Sequence, residues 1–489
     1  MSQRTADTWP PECTARAADP RSDFANAVRL ARHCGDRLLY VYGIGWHTWE
    51  GKGGPWRPDD LGARRIAAEL GRIVANEAAE AAQRAAAAPD ADARERLQKG
   101  ADALFSWARL SEMTARIEAA LSLASALLAI KPERLDHDPL LLGCPNGVLD
   151  LRTGRLRQHR RGDFITKRAG AVYDAKATAP TWSRFLARIF RQRPEAIAYM
   201  QRLAGYWLTG CTDPALLAVL WGGGANGKST LVATIRAALG EYATAAPPSF
   251  LIARSGEAHP TELALLLGMR WIVASESGEG GRLDEERVKL LTGGDTITAR
   301  RMRQDFFEFA PTHKLALQTN HRPIIRGTDE GIWRRIALIE FAETIPPEER
   351  DPRLADKLRA ELPGVLAWAA EGCRAYLRDG LQPPAIVQAA TAAYRSDSDA
   401  VGAFIAEECV ELPTFTCAAG DLYAAYAAWA DDAGERPMSK RALGLRLQER
   451  GFTAHKGTAG QRRWHGITLR GASGASDRFS GSSYAKRKF

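Results

Sequence analysis

One octapeptide has the spacing of a phosphate-binding loop. Residues 222–229 read GGGANGKS and fit the pattern GxxxxGK[ST]. An apolar run, 216–221, precedes them and a helical segment, 230–239, follows, which is the strand–loop–helix context that the pattern requires. Glycines let backbone N–H groups turn toward phosphates, and the helix N-terminus adds partial positive charge. The alternative is a glycine-rich turn that fits by chance, and the flanking segments disfavour it.

The residue types in this loop suit a nucleoside triphosphate with a magnesium ion. Lys228 would neutralise the β- and γ-phosphates, and the hydroxyl of Ser229 would hold Mg²⁺. The residues expected to bind nucleotide are Gly222, Gly223, Gly224, Ala225, Asn226, Gly227, Lys228, Ser229 and Thr230.

A nucleotide hydrolase also needs a carboxylate near its metal. The run WIVASE, 271–276, predicts an apolar strand that ends in an acid. Glu276 is therefore the candidate for metal contact and catalysis, and Glu279 is a reserve. The sequence does not show which of these glutamates would bind the metal and which would act as the general base. A solvent-facing glutamate at a strand end is the alternative.

Two more strand-like segments lie beside polar residues. KLALQTN, 314–320, ends in Asn320, which is placed either to orient a lytic water or to begin a turn. Arg334 and Arg335 precede the last apolar run. They are surface charges, or one of them reaches a neighbouring subunit's nucleotide as an arginine finger, which stabilises the charge of phosphoryl transfer.

The chain changes character near residue 215, where apolar runs begin to alternate with helix-like segments. That alternation predicts an α/β domain with a mainly parallel sheet. Residues 59–131 have helical spacing punctuated at Pro89-Asp90, and 140–175 predict β-hairpins at Asn146-Gly147 and Thr153-Gly154. The basic stretch within the latter, 152–168, fits a DNA contact or an exposed hairpin equally well.

Composition excludes several classes of protein. Of 489 residues, 45% are hydrophobic and 26% charged, so the chain can bury substantial cores. The formal charge of +9 permits a nucleic-acid partner without proving one. Seven scattered cysteines without a CxxC pair argue against a zinc knuckle or a disulfide scaffold. The longest apolar stretch, 119–130, is shorter than the roughly 18 residues of a membrane span, so we expect a cytoplasmic protein without membrane contact.

Taken in order, the motifs resemble those of superfamily 3 helicases. The segments are GGGANGKST, WIVASESGEG, VKLLTGGDTITARRM, FEFAPTHKLALQTNHRP and GTDEGIWRRIALIEF. They are most similar to the phage and plasmid primase–helicases, which are akin to the poxvirus helicase–primase. The similarity is close over about 215–345, and the segment from Asp23 through GCPNGVLDLRTG resembles the region upstream of the helicase in that family.

The resemblance implies a fold and an assembly. The fold class is an α/β, AAA+-like P-loop ATPase core, preceded by an α+β, mostly helical domain and followed by a small winged-helix-like domain. Such enzymes form a ring, commonly a hexamer, bind ATP with Mg²⁺ between subunits, and move along single-stranded DNA, usually from 3′ to 5′. The predicted divisions are a flexible tail (1–20), an upstream collar-type domain (21–205), the ATPase core (206–348), a helical extension (349–399), a winged-helix-like DNA- or partner-binding domain (400–470) and a disordered basic tail (471–489).

The resemblance also assigns residues. Lys228 and Ser229 match the Walker A lysine and metal-binding hydroxyl, and Glu276 matches the Walker B acid. Many relatives carry Glu-x-Glu-Glu there, whereas this chain reads ESGE and lacks one acid. Lys289 matches the basic residue of motif B′, and Asn320 matches the polar sensor of motif C. Arg334 matches the arginine finger best, and the adjacent Arg335 stays open as the alternative.

Related rings project a hairpin into the central channel from the region equivalent to 298–309. Arg301 and Arg303 would then meet DNA phosphates, which supply a grip independent of base sequence. A solvated hairpin or a subunit-interface charge is the alternative. Three phenylalanines close this segment, and we expect them to pack in the core, with base-stacking platforms as the alternative: Phe306, Phe307 and Phe309.

The segment 437–451 combines a serine cap, basic residues and a glycine stop, and a β-like RRWHGITLR follows it. This order predicts a winged-helix module in which Lys440, Arg441 and Arg446 face phosphate. A small structural bundle with a charged face is the alternative.

The sequence thus predicts an ATP-dependent replicative DNA helicase of a phage, prophage or plasmid. It would act on single-stranded or forked DNA and work with a separate primase or replication factor. No Asp-x-Asp pair with supporting strands precedes the helical region, so primase activity is not expected of this chain. The alternatives are an ATP-switched origin-binding or primase-loading factor and a ring-forming signalling or defence NTPase.

Overall fold

The computed structural model describes most of the chain, which folds into two compact units. The first unit runs to residue 323 and continues over 330–390, and the second comprises 324–329 and the residues from 391 onward. Among the described residues, no helix is long and apolar enough to cross a membrane. The described ranges are 19–51, 54–253, 261–275, 281–300, 306–327, 329–433, 437–456 and 461–470.

Helices dominate the first part of the first unit. Three of them begin at caps, where Ser22, Asp59 and Asp90 each accept a hydrogen bond from a backbone N–H three residues on. The punctuation predicted at Pro89-Asp90 is confirmed, since one long helix ends just before it and the next begins just after it. The helices are α1 (Asp23–Cys34), α2 (Asp60–Ala67), α3 (Leu70–Ala86), α4 (Ala91–Ser111) and α5 (Thr114–Leu127).

Two small sheets accompany these helices. The first is formed by β1 (Leu38–Val41), β2 (Gly45–Trp49), β3 (Trp56–Pro58) and β4 (Ala129–Ile130) in the order β3-β2-β1-β4. The second is an antiparallel meander of β5 (Leu141–Cys144), β6 (Gly147–Asp150) and β7 (Arg155–Arg157). The hairpins predicted around 146 and 153 are confirmed.

Ion pairs occupy much of the basic stretch 152–168. Arg152 pairs with Asp138 at 2.9 Å and Arg157 pairs with Asp163 at 2.7 Å. Arg161 pairs with Asp36, in the turn before β1, at 3.3 Å, and Arg168 pairs with Glu50, directly after β2, at 3.4 Å. These pairs favour the hairpin interpretation over a dedicated DNA contact, because each paired guanidinium already has a carboxylate partner.

A parallel sheet forms the centre of the first unit, in the strand order β14-β8-β13-β10-β9. Its strands are largely buried on both faces, as expected when helices cover a parallel sheet. The strands are β8 (Leu217–Trp221), β9 (Ala243–Ala245), β10 (Trp271–Ser275), β13 (Lys314–Thr319) and β14 (Ile336–Glu340), and β11 (Ile297–Arg300) pairs with β12 (Phe306–Phe309) as a separate antiparallel ribbon.

Helices on both sides of the predicted boundary at 205/206 share one hydrophobic core with this sheet. Trp207, from the helix before the sheet, stacks on Trp271 of β10 with ring centroids 4.2 Å apart. The finer domain divisions stay predictions. The helices of this part are α6 (Pro180–Ile189), α7 (Pro194–Leu208), α8 (Lys228–Leu239), α9 (Thr261–Ala264), α10 (Glu285–Thr292), α11 (Glu330–Trp333), α12 (Leu354–Ala360) and α13 (Leu362–Asp379), and α14 (Ala385–Asp397) follows them.

Buried cations lie where β10 and β13 begin. Arg270 donates to the carbonyls of Leu208 and Leu141, and Lys314 donates to that of Thr209. Leu208 and Thr209 close α7, so both cations meet the negative end of its dipole. Burial lowers the pKa of Lys314 well below its usual value. These contacts tie α7 and β5 to the sheet.

After the end of α14, the second unit has the element order helix–strand–helix–helix–strand–strand. Its strands form an antiparallel sheet in the order β15-β17-β16. Trp464 and Ile467 of the last strand pack in a core with Phe404 and Leu447. The elements are α15 (Ala400–Glu408), β15 (Cys409–Ala418), α16 (Ala419–Asp432), α17 (Lys440–Glu449), β16 (Thr453–Lys456) and β17 (Arg462–Leu469).

His313 makes stability depend on pH. It is buried, and burial lowers its pKa from 6.5 to about 4, while a backbone contact with Leu291 opposes that shift only in part. Below pH 6.5 the unfolded chain therefore binds a proton at this histidine that the folded chain does not bind. The contribution of His313 to the unfolding free energy is fully present above that pH and is lost as pH falls toward 4.

We expect His313→Leu to recover about 2 kcal/mol of this loss at pH 5, measured by urea unfolding at pH 7 and 5. The exposed control, His137→Leu, should lose as much stability as the wild type, and an equal loss in His313→Leu would contradict the assignment.

Candidate active site

The loop between β8 and α8 lies at the carboxyl edge of the parallel sheet. Such edges are where α/β proteins bind their ligands. Gly227 closes the loop with φ +85°, and a Cβ there would lie 2.6 Å from Cγ2 of Ile189. A Cβ at Gly222 would lie 2.4 Å from the carbonyl oxygen of Phe341. Glycine is therefore required at both positions, by a left-handed backbone at the first and by a close backbone approach at the second.

Asn226 holds the loop in shape. Its amide nitrogen donates to the carbonyl of Phe341 at 3.1 Å, and its amide oxygen accepts from Nζ of Lys228 at 3.0 Å. Lys228 also donates to the carbonyl of Gly222. The lysine is buried, and that burial lowers its pKa. Its ammonium group therefore lies inside the loop, on the side where an anion would be neutralised.

The hydroxyl of Ser229 has a partner that the sequence did not identify. Nε2 of Gln318, on β13, donates to Oγ of Ser229 at 2.7 Å. In the sheet register Gln318 lies between Leu220 of β8 and Ser275 of β10. The signal in the sequence was a polar residue directly after the apolar residues 315–317, and only the strand order shows what it reaches.

Two of the predicted residues follow the adjacent strand ends. The strand predicted before Glu276 is confirmed as β10, but Glu276 and Glu279 lie outside the described residues. Asn320 follows β13 directly and is exposed, and its carbonyl accepts a hydrogen bond from the indole N–H of Trp221 at 3.2 Å. The guanidinium of Arg322 lies over that indole, 4.9 Å from its centroid. The strand order thus brings Asn320 beside the loop strand.

The two adjacent arginines differ in their surroundings. Arg335 donates to Oγ1 of Thr292 at 3.1 Å and to the carbonyl of Gly331 at 2.5 Å. Arg334 is exposed. Lys289 is half-buried on α10, the helix that carries Thr292. Arg335 is therefore engaged within its own chain, whereas Arg334 is directed to solvent.

The hairpin predicted over 298–309 is present as the antiparallel pair of β11 and β12. Arg301 and Arg303 lie outside the described residues. Phe309 is buried as expected, but Phe306 is 59% exposed, with the guanidinium of Arg300 over its ring at 5.0 Å. The expectation of core packing is therefore wrong for Phe306, because the end of this ribbon extends beyond the hydrophobic core.

The predicted basic residues of the second unit also differ from one another. Lys440 and Arg441 are exposed in the first turn of α17, after the cap at Ser439. Arg446 pairs with Glu449 at 2.7 Å and donates to the carbonyl of Arg326 at 2.9 Å. The side chains of Lys440 and Arg441 are therefore exposed to solvent, whereas the guanidinium of Arg446 is engaged by an ion pair and a hydrogen bond within the unit.

A cavity of about 580 Å³ adjoins the loop. That volume lies within the range of small-molecule sites. The loop contributes Ala225, Gly227 and Thr230, and the opposite wall comes from α6 and the segment 345–357. No cluster of three or more metal-ligating side chains occurs within the part of the chain that the structure describes. The exposed Ser229 hydroxyl, an oxygen ligand of the kind Mg²⁺ prefers, fits a metal that is carried mainly by phosphates.

Three family models match the chain, each in a different part. A D5 N-terminal-like domain covers 27–191, a family of unknown function covers 220–335, and a poxvirus D5 protein-like domain covers 396–463. The chain therefore contains two domains that are similar to D5 proteins. The D5 N-terminal-like domain thus lies ahead of the loop, and the poxvirus D5-like domain falls entirely in the second unit.

Relatives of this D5-like chain come from large DNA viruses. It is 29% identical to "Putative helicase L207/L206" of Acanthamoeba polyphaga mimivirus over 57% of its own length and 31% of the relative's. It is 24% identical to "Putative helicase 022R" of Frog virus 3, over 60% and 39% of the two chains. For "Putative primase C962R" of African swine fever virus (isolate Tick/Malawi/Lil 20-1/1983) the identity is 26%, over 61% and 34%. The chain spans about a third of the length of these curated relatives.

Among solved structures, the chain is similar to the C-terminal region of NrS-1 in its apo form. The TM-score is 0.38 at 12% identity, over 60% of this chain and 78% of that one. The A form of the same region gives a TM-score of 0.36 at 11% identity.

The glycines of the loop differ in what a methyl group would meet. Gly227→Ala combines a left-handed backbone with a contact to Ile189, so we expect it to cost about 2 kcal/mol of unfolding free energy. A Cβ at Gly223 meets nothing within 4 Å, and Gly223→Ala should change stability by less than about 0.5 kcal/mol. Urea unfolding of both variants checks this. Equal losses in the two would contradict the described loop geometry.

Proposed function

We propose that this D5-like protein is an ATP-dependent replicative DNA helicase of a virus, phage, prophage or plasmid. The observation that carries the proposal is the loop itself, in which Lys228 and Ser229 open α8 at the carboxyl edge of a parallel sheet. The strand ending before Asn320 lies between the loop strand and the strand before Glu276. That order supports the AAA+-like, superfamily 3 core that the motifs predicted.

ATP with Mg²⁺ is the proposed cofactor. Backbone N–H groups of the loop and the ammonium of Lys228 would bind the phosphates. The cavity beside the loop would receive the nucleoside, since its wall includes Thr230 at the start of the helix. Ser229 and Glu276 would hold the metal, which neutralises charge as the terminal phosphate leaves. Asn320 would orient the attacking water.

A ring, commonly a hexamer in this superfamily, would complete the site between subunits. Arg334 is the proposed finger, because it is exposed while Arg335 is held by Thr292 of its own chain. Lys289, on the helix of Thr292, is the proposed motif B′ contact to nucleotide. A finger in trans makes hydrolysis depend on assembly, as a ring motor requires.

Single-stranded or forked DNA is the proposed partner. The ribbon of β11 and β12 would carry Arg301 and Arg303 to phosphates in the channel. The element order of the second unit supports a winged-helix-like module, with Lys440 and Arg441 of α17 at phosphate. Arg446 is a weaker candidate because of its internal contacts. A separate primase, a cytoplasmic location and 3′-to-5′ movement stay predictions from the sequence.

The test is the ATPase rate with and without single-stranded DNA, together with strand displacement from 3′-tailed and 5′-tailed duplexes. We expect DNA to stimulate hydrolysis and displacement to need the 3′ tail. Lys228→Ala should abolish both activities, because the phosphates lose their cation, while the exposed Lys176→Ala should keep them. Turnover on DNA without displacement would indicate a loading factor. Turnover that ignores DNA would indicate a signalling or defence NTPase, and full turnover in Lys228→Ala would contradict the site.

The second unit allows a separate test of DNA contact. Each phosphate contact contributes about one unit to the slope of log affinity against log salt. Lys440→Ala combined with Arg441→Ala should therefore lower this slope by about two and weaken binding to all sequences alike, measured by fluorescence anisotropy on labelled DNA. Arg446→Ala, the matched control, should lower the slope less and reduce thermal stability instead. A larger slope change in Arg446→Ala than in the double variant would contradict the assigned face.

A further inference from the structure

We propose that Gln318 is a positioning residue that sets the Ser229 hydroxyl for the Mg²⁺ of the nucleotide. This inference rests on the proposed function, since it concerns the same loop. Neither the motif pattern nor the family resemblance assigns a role to Gln318. The contact that carries the inference is the 2.7 Å hydrogen bond from its amide nitrogen to Oγ of Ser229.

The two side chains start from rigid but separate elements. Ser229 is exposed in the first turn of α8, where its hydroxyl could rotate freely about χ1. Gln318 extends from β13, which pairs with β8 on one side and β10 on the other. It is half-buried in a strand whose other residues are buried. A hydrogen bond from the middle strand therefore fixes an oxygen that its own helix leaves mobile.

The coordination geometry of Mg²⁺ explains why a fixed hydroxyl would matter. Mg²⁺ demands nearly ideal octahedral geometry at about 2.0–2.1 Å, so a hydroxyl in the wrong rotamer is a poor ligand. A serine hydroxyl has two lone pairs and one hydrogen, and the metal takes one lone pair. The Gln318 amide can satisfy what remains, donating through Nε2 as the structure has it or accepting the hydroxyl hydrogen through Oε1 after a half-turn of the amide. Either orientation keeps Oγ in place.

The strand that carries Gln318 also leads to the amide that would orient water. Asn320 follows Gln318 by two residues, at the carboxyl end of β13. Replacing Gln318 should therefore weaken Mg²⁺ binding, and any effect on hydrolysis should follow from that weaker binding. This separates its role from that of Lys228, whose loss removes phosphate binding with or without metal.

The experiment measures Mg²⁺ dependence of binding, without turnover. A fluorescent ADP analogue is titrated onto the full chain at a series of Mg²⁺ concentrations and in EDTA, and Mn²⁺ binding to the nucleotide complex is followed by electron paramagnetic resonance. Loss of a residue that orients a metal ligand typically weakens metal binding 10–100-fold. We expect Gln318→Leu to raise the half-saturating Mg²⁺ concentration at least about tenfold, with binding in EDTA unchanged.

Four further variants make the result specific. Gln318→Glu keeps an acceptor for the hydroxyl hydrogen and should restore Mg²⁺ dependence to within about threefold of the wild type. Ser229→Ala should resemble Gln318→Leu, and combining the two should add nothing beyond Ser229→Ala. Gln201→Leu is the matched control, because that amide donates to the carbonyl of Trp368 at 3.0 Å elsewhere in the unit. It should leave Mg²⁺ dependence unchanged.

The outcomes separate this inference from the proposed function. Wild-type Mg²⁺ dependence in Gln318→Leu overturns the inference alone, and so does a loss of affinity in EDTA equal to the loss in Mg²⁺, which would mark a general role in the pocket. Additive losses in the double variant also overturn it. If the wild type fails to bind nucleotide, or if Lys228→Ala binds as well as the wild type, the proposed function falls and this inference falls with it.

Discussion

The loop depends on the segment that leaves β14. Asn226 donates to the carbonyl of Phe341, and the carbonyl of Ala225 accepts from the backbone N–H of Ile345 at 2.8 Å. Both contacts tie the loop to backbone that follows the edge strand of the sheet. The same segment continues into the wall of the adjoining cavity. Loop conformation and cavity shape are thus set by one stretch of chain, so we expect a change at 341–345 to affect the proposed phosphate and nucleoside sites together.

The opposite end of the sheet is fixed by different chemistry. Arg270 and Lys314 end on backbone carbonyls at the end of α7 instead of on carboxylates. A buried cation without a carboxylate is costly unless its donors are satisfied, and the helix dipole offsets part of that cost. Because β10 and β13 begin at these anchors, their carboxyl ends emerge in a fixed register beside β8. The anchors therefore help to place Ser275, Gln318 and Asn320 relative to the loop, although they lie at the far edge of the sheet.

The sequence predicted the features that depend on neighbouring residues but not the contacts between distant ones. The loop motif, the strand before Glu276 and the hairpins near 146 and 153 each depend on neighbouring residues, and each was predictable. The partner of Ser229 was not, because Gln318 is 89 residues away and reaches it only through the strand order. The sequence matched Arg334 to the finger but left Arg335 open beside it. The two residues have the same chemistry, and what distinguishes them is the exposure of Arg334 and the contacts of Arg335 with Thr292 and Gly331.

The positions of the exposed charges also could not be predicted from the net charge of the sequence. The formal charge of +9 suggests a basic surface, yet Arg152 and Arg157 pair with carboxylates of their own region. Such ion pairs cancel part of the field that would attract a polyanion. Lys440 and Arg441 instead lie exposed in one turn of a helix, next to the positive end of its dipole. Attraction for phosphate therefore depends less on how many arginines the chain contains than on which cations stay directed to solvent, and that distinction favours α17 over the hairpins of the first unit.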